Sequence, residues 1–278
     1  MNPQLKTSMK EDINFYIQGW EPEGTPKAIV CLVHGHGEHT GRYAHVGKAL
    51  NEAGYALFGF DLRGHGQSGG PRGHFPSLDD ALSDIHQFIE FQKGNFPDLP
   101  IILYGHSLGG MFALAYAIQH KDELQGVIAT DAFLRSPLWD QKTKVAVAKM
   151  LGSLFPGVTL PSGLDPSTLS RDPDVVKRYT EDPQVHDRVS FGLVLAMLTG
   201  IDLCFAHAKE ITSPLLFMHG TEDKAAYYSG SEEFAKLAGE TNKDVTVKLW
   251  DGLYHEIHNE PEQADIFKFM VEWLDKHL

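Results

Sequence analysis

The sequence predicts an α/β fold, a mostly parallel central sheet with helices on both faces, interrupted once by a helical insertion. Three observations carry this reading. Strand-length apolar runs alternate with amphipathic helix-length segments as far as residue 131. Between 133 and 207 the alternation lapses into helix-like segments with Pro/Gly punctuation, and it resumes at Leu215. The run Ala28 to Val33 is apolar throughout, as a strand buried on both faces is.

The elements follow in order. Ile13 to Trp20 and Ala28 to Val33 read as strands separated by a Pro- and Gly-containing turn, then a helix from about Arg42 to Ala53 and a strand from Tyr55 to Phe60. An amphipathic helix from about Leu78 to Gln92 leads to the apolar run Ile101 to Tyr104, a sharp turn, a helix through Met111 to Ala117 and a strand from Gln125 to Thr130. In the insertion, helices are expected over Thr143 to Phe155, Asp174 to Tyr179 and Asp187 to Ala206, with no strand. The sheet pattern returns with the strand Leu215 to Met218, the helix Gly230 to Gly239, the strand Val245 to Trp250 and a last helix from about Gln263 to His277. Residues 1–132 and 208–278 are therefore expected to form the core and 133–207 a helical cap. The cap holds Met150, Leu151, Leu154, Phe155, Leu193, Leu195, Met197 and Leu198, which suit either a greasy cleft or packing against the sheet.

With 278 residues the chain is long enough for one α/β domain carrying an insertion. Its 24 Lys+Arg against 37 Asp+Glu leave a formal charge of -13, which argues against nucleic acid and other polyanionic partners. Two cysteines, Cys31 and Cys204, both in apolar runs, make no disulfide framework and favour a reducing compartment. The N-terminus does not read as a signal peptide, and the longest apolar run, Phe191 to Phe205, is broken by Gly200 and Asp202 and reads as too short to cross a bilayer. The expected location is the cytoplasm.

The chemistry centres on Gly105-His106-Ser107-Leu108-Gly109. A strand entering a tight turn from which a helix departs lifts the serine hydroxyl to the apex, provided the flanking residues are small. A serine hydroxyl is a weak nucleophile at neutral pH, so it needs a base within hydrogen-bond reach and an acid to orient that base. In the doubly wound hydrolase plan the acid and the base each follow a late strand, in that order, and Asp223 and His255 stand at those places. Asp131 and Glu222 are the competing acids and His258 the competing base. The backbone N–H groups of Leu108 and of His36, in the Gly-rich loop after Val33, would stabilise an oxyanion. His34, His36 and His39 admit a competing zinc reading, though nothing nearby completes a ligand set. Asp61, Arg63 and His65 lie in a Gly-rich loop and read as scaffolding, with catalytic roles for Asp61 or His65 as the alternative. No cofactor is implied.

These pieces, His34-Gly35-His36-Gly37-Glu38-His39, Asp61-Leu62-Arg63-Gly64-His65-Gly66, Gly105-His106-Ser107-Leu108-Gly109-Gly110, Gly220-Thr221-Glu222-Asp223 and Tyr254-His255-Glu256-Ile257-His258, together resemble the monoacylglycerol lipase and lysophospholipase-like group of the α/β-hydrolase superfamily. The resemblance runs over nearly the whole chain. It implies a cap over an acyl-chain tunnel, a single-chain lipid ester as substrate, and head-group contacts by Glu38, Arg42, Tyr179 and His258. It departs at Ala225-Ala226-Tyr227-Tyr228, where many members carry Val-Val and a proline pair, so chain-length preference is open. The expected partners are a small lipid ester and, transiently, a micelle or membrane touched by the cap. Lysophospholipase, short-chain esterase, peptidase and acyltransferase activity are the neighbouring readings, and a non-catalytic lipid-binding module is the reading from another class.

Overall fold

The computed structural model describes residues 7–9, 13–121, 123–137, 146, 150–152 and 154–278. Its centre is a seven-stranded sheet of β3 (Ile17–Trp20), β4 (Ile29–Val33), β5 (Ala56–Phe60), β6 (Ile101–His106), β7 (Gly126–Thr130), β10 (Leu215–Gly220) and β11 (Val245–Trp250), in the order β11-β10-β7-β6-β4-β5-β3. All pairings are parallel except that of the edge strand β3 with β5. The expected strand over residues 13–20 is split at Tyr16: β2 (Ile13–Phe15) pairs instead with β1 (Thr7–Met9), a short strand the sequence pattern did not announce.

Alternate side chains of each central strand feed two cores, as strand geometry requires. Val30, Leu32, Ile102, Tyr104, Leu216 and Met218 pack under α1 (Ala44–Glu52) and α7 (Gln263–His277). Ile29, Cys31, Val33, Leu103, Val127 and Phe217 pack on the other face against α2 (Leu78–Asn95) and α3 (Leu108–Gln119). The ends of α2 are set by the sequence: the Ser77 side chain accepts from the Asp80 N–H, Asp79 and Asp80 complement the positive end of the helix and Lys93 the negative end.

After β7 the chain leaves the sheet and returns at β10, the direct neighbour of β7. The expectation of no strand there is corrected: β8 (Thr159–Pro161) and β9 (Arg188–Ser190) form an antiparallel pair, each of only three residues. Strands that short carry no readable period. Of the helix expected over 143–155, residues 143–145, 147–149 and 153 lie outside the described residues. The expected helix at 174–179 is α4 (Pro173–Glu181), started by Asp172 and Pro173, and that at 187–206 is α5 (Phe191–His207).

The placing of all of 133–207 in a cap needs a second correction, because α5 belongs to the main core. Leu193, Ala196, Ile201 and Cys204 are buried against α2 and α3, and Gly200 lies so close to Met111 that a side chain there would have to push the thioether aside. Together with the following turn the helix covers Phe191–Glu210, which is long and apolar enough to cross a membrane, contrary to the reading of residues 191–205 as too short. Half of its most apolar stretch is buried inside the protein, as a core helix requires.

Candidate active site

Ser107 stands between β6 and α3 with φ 54° and ψ −117°, a left-handed conformation that costs a non-glycine residue about 1–3 kcal/mol. The surroundings enforce it. Its N–H donates to the Thr130 carbonyl at 2.9 Å, and its own carbonyl accepts from Met111 at 3.1 Å and Phe133 at 3.0 Å. A side chain at Gly105 would run into the Gly109 carbonyl, and one at Gly109 into the Val33 carbonyl, so both must be glycine for strand and helix to meet. Gly110 is tight as well, with Ala132 Cβ 3.1 Å from where its own Cβ would stand.

His255 comes from the loop after β11 and Asp223 from the loop after β10, as the sequence order suggested. The His255 Nε2 lies 2.8 Å from Ser107 Oγ, and its Nδ1 lies 2.7 Å from Asp223 Oδ2. With Asp223 ionised, Nδ1 carries the proton and Nε2 is left to accept from the serine hydroxyl. Asp223 is itself fixed: Oδ1 accepts from the N–H groups of Ala225 (2.8 Å) and Ala226 (2.9 Å), and Oδ2 accepts from His219 Nε2 at 3.1 Å. Burial opposes its charge, but His255 and the hydrogen bonds from His219 hold its carboxyl well below the usual range. For His255, burial disfavours the imidazolium, and the adjoining Asp223 carboxylate overcomes this and moves its pKa above the ordinary histidine value.

The competing assignments are placed elsewhere. Asp131 is fully buried after β7, with φ 47°, and its Oδ1 accepts from the Gly220 N–H at 3.0 Å rather than meeting His255. Burial and the neighbouring Asp223 charge push its carboxyl well up. Glu222 is exposed. His258 is fully buried, stacked on Tyr43 at 4.8 Å, with neither ring nitrogen hydrogen-bonded among the described residues.

His36 and Leu108 line the same cavity as Ser107, and among the described residues neither backbone N–H is paired with a backbone acceptor. The Leu108 N–H opens α3, where donors are unsatisfied and the helix dipole favours negative charge. The His36 ring is buried beside His65 and His186, and burial, then His186, lowers its pKa to about 3, so it adds no charge to the oxyanion loop. The histidines of this loop do not converge on one point. His34 pairs with the Gly35 carbonyl and the Leu62 N–H, whereas His39 pairs with Asp182 at 3.0 Å. The next loop is scaffolding: Asp61 accepts from Thr40 and Gln67, and Arg63 forks onto Asp84 at 2.6 and 2.7 Å.

Ser107 and His255 open into a cavity of about 520 Å³. Leu108, Phe133, Leu164, Leu169, Val189 and Met197 give it apolar walls, and Glu38, Tyr179 and Glu256 give it a polar end. Ala225, at the departure from the family pattern, forms part of the wall beside Lys224. Two of the four expected head-group residues, Glu38 and Tyr179, line this cavity, whereas Arg42 and His258 do not. The reason is electrostatic for Arg42, which is nearly buried and spends Nη1 on Glu38 Oε2 (2.7 Å) and Glu256 Oε1 (2.6 Å), and Nη2 on Glu256 Oε2 (2.7 Å). For His258 it is steric, since the ring is enclosed between Tyr43, His45 and His106. Glu38 also accepts from Gly35 N–H and Tyr43 hydroxyl, each at 2.7 Å. Burial pushes its carboxyl up, and Arg42 with its other neighbours more than reverses this, to about 2. Glu256 and His219 were missed by the sequence reading. Glu256 gave no signal beyond standing next to His255, and His219 none beyond ending a strand.

A family model described as serine aminopeptidase, S33 (Hydrolase_4) matches residues 24–262. A monoacylglycerol lipase of Mycolicibacterium smegmatis is 36% identical over 93% of this chain and 92% of its own length. A human monoglyceride lipase is 32% identical over 92% of this chain and 85% of its own. An abhydrolase domain-containing protein of Dictyostelium discoideum is 36% identical over 99% of this chain, which spans 29% of that longer protein. Among solved structures, a Paleococcus ferrophilus monoacylglycerol lipase superposes with TM-score 0.87 at 38% identity, covering 95% of this chain and 99% of its own.

Proposed function

Since the chain belongs to the serine aminopeptidase S33 (Hydrolase_4) family of α/β hydrolases, we propose that it cleaves the ester bond of monoacylglycerol-like single-chain lipids through an acyl-enzyme. The observation that carries this is the unbroken hydrogen-bond chain Ser107–His255–Asp223 at the wall of a largely apolar cavity that Glu38, Tyr179 and Glu256 also line. The relatives named as monoacylglycerol or monoglyceride lipases support the substrate class.

In the acylation step the Ser107 hydroxyl passes its proton to His255 Nε2 while Oγ attacks the ester carbonyl. The carbonyl oxygen becomes an oxyanion facing the N–H groups of His36 and Leu108, and Asp223 stabilises the imidazolium. As the intermediate collapses, His255 returns the proton to the leaving alkoxide, releasing the alcohol and leaving an acyl ester on Ser107. Water, deprotonated by the same ring, reverses these steps and releases the fatty acid. On this reading the two loops and the helix start are preorganised, so little reorganisation accompanies the chemistry.

Met150, Leu154, Phe155, Val158 and Leu160 of the inserted segment are exposed. They support transient docking on micelles or membranes, and the step in activity as substrate passes from monomer to aggregate measures it. The deciding experiment is hydrolysis of monoacylglycerols, diacylglycerols, lysophosphatidylcholines and p-nitrophenyl esters of rising chain length, beside Ser107→Ala. Preference for monoacylglycerols, abolished in the variant, is expected. Turnover of short p-nitrophenyl esters alone would make the protein a short-chain esterase. Activity persisting in Ser107→Ala, or a serine that no fluorophosphonate labels, would end the acyl-enzyme reading and favour a binding module.

A further inference from the structure

We propose that Glu256 sets head-group charge selectivity: with Glu38 it makes the polar end of the cavity a net-negative, hydrogen-bond-accepting subsite that takes neutral polyol esters and excludes anionic ones. The inference rests on the ester-hydrolase reading of this cavity and adds to it the residue that filters charge.

The argument begins with a count of charges. One guanidinium, Arg42, lies between two carboxylates, Glu38 and Glu256, and all three are nearly buried. Two carboxylates against one guanidinium leave an excess of one negative charge. Alone, Arg42 beside an ester pocket would recruit a phosphate or a carboxylate, because its fork matches either. Glu256 removes that possibility by occupying the fork from both ends, through Oε1 on Nη1 and Oε2 on Nη2. The Tyr179 ring covers the guanidinium at 4.8 Å.

The remaining hydrogen-bond capacity points the same way. Glu38 Oε2 and Glu256 Oε1 each take one hydrogen bond among the described residues, both from the same Arg42 Nη1, so the two oxygens stand side by side with acceptor capacity to spare. Two adjacent acceptors suit the two hydroxyl donors of a diol. The other oxygens are filled, Glu38 Oε1 by Gly35 and Tyr43, and Glu256 Oε2 by Arg42 and Asn259. The Tyr179 hydroxyl, on the cavity wall without a hydrogen-bond partner among the described residues, adds one group that donates or accepts. The cation that does line the wall, Lys224, is exposed, and its charge acts on Asp165 of the same wall.

The test compares two substrates with one acyl chain, 1-decanoylglycerol and its 3-phosphate, below their aggregation limits and at about 0.5 M salt, where the long-range field of the acidic surface is screened. Wild-type kcat/KM is expected to favour the neutral ester by at least ~100-fold, and Glu256→Gln to narrow that ratio by about tenfold or more. Because the ratio is taken within one preparation, a lost folded fraction cancels. Equal kcat/KM values in the wild type, or a ratio unmoved in Glu256→Gln, would overturn the proposal. If the variant does not fold, calorimetric titration of the wild type with 1-O-decylglycerol and decyl phosphate decides: tighter binding of the ether supports the charge filter and equal binding refutes it. That titration also separates the two readings, since a wild type that hydrolyses neither ester yet prefers the neutral ether loses the hydrolase assignment and keeps the subsite.

Discussion

Asp131 and Asp223 both follow strands and both lie buried near the reacting serine, so exchanging each for asparagine separates the working acid from its neighbour. In Asp223→Asn the oxygen can keep its bonds to Ala225 and Ala226, but the amide presents an N–H where His255 Nδ1 now donates at 2.7 Å. Two donors cannot face each other, so the imidazole changes tautomer. Its Nε2 then carries the proton and can no longer accept from Ser107, now 2.8 Å away. A loss of about 10⁴-fold in kcat is expected, close to 5.5 kcal/mol of transition-state stabilisation. Asp131→Asn changes far less, because an asparagine oxygen can keep accepting from Gly220 and no described hydrogen bond ties Asp131 to His255. A change of threefold or less is expected, with folding retained. The assay is steady-state hydrolysis of p-nitrophenyl butyrate by both variants, with the melting temperature of each as a control on folding. Comparable losses in the two variants, or more than a tenth of the activity surviving in Asp223→Asn, would refute the assignment of the acid.

Three further outcomes are expected. The kcat/KM profile should fall on its acid side at a pH above the ordinary histidine value of about 6.5, because Asp223 raises the His255 pKa against the effect of burial; an acid limb below that value contradicts the ion pair. Buried His36 and His106 and half-buried His186, held mainly by burial to about 3, 4 and 4, bind protons only in the unfolded chain between those values and about 6.5. Stability gained from them is present above pH 6.5 and is lost as pH falls, at up to about 1.4 kcal/mol per pH unit for each, so a urea midpoint that is flat from pH 6.5 to pH 4 contradicts their burial. Gly109→Ala would force a methyl into the Val33 carbonyl, and a loss of more than about 2 kcal/mol in urea unfolding is expected; wild-type stability would show that the elbow is looser than described.

The strand-turn-helix around Ser107 and the order Ser107, Asp223, His255 were legible because they depend on local rules. A serine at a strained apex needs glycines at fixed offsets, and a parallel sheet places the loops that follow its strands along one edge. The insertion was less legible, since β8 and β9 are three residues each and pair across 26 intervening residues, between Pro161 and Arg188. An apolar segment such as α5 reads alike whether it lines a cleft or fills a core, and only its neighbours, Met111 among them, decide.

The same boundary runs through the site. Sequence by itself determined the residue types, their order and the backbone turns that carry them, because backbone conformation is dictated by near neighbours in the chain. Tertiary structure alone decided which charges meet. Arg42 pairs with Glu256, 214 positions away, and His255 meets Asp223 while Asp131 accepts from Gly220. Electrostatic roles depend on burial and on distances of a few ångströms between groups remote in sequence, and no periodicity or spacing along the chain encodes those.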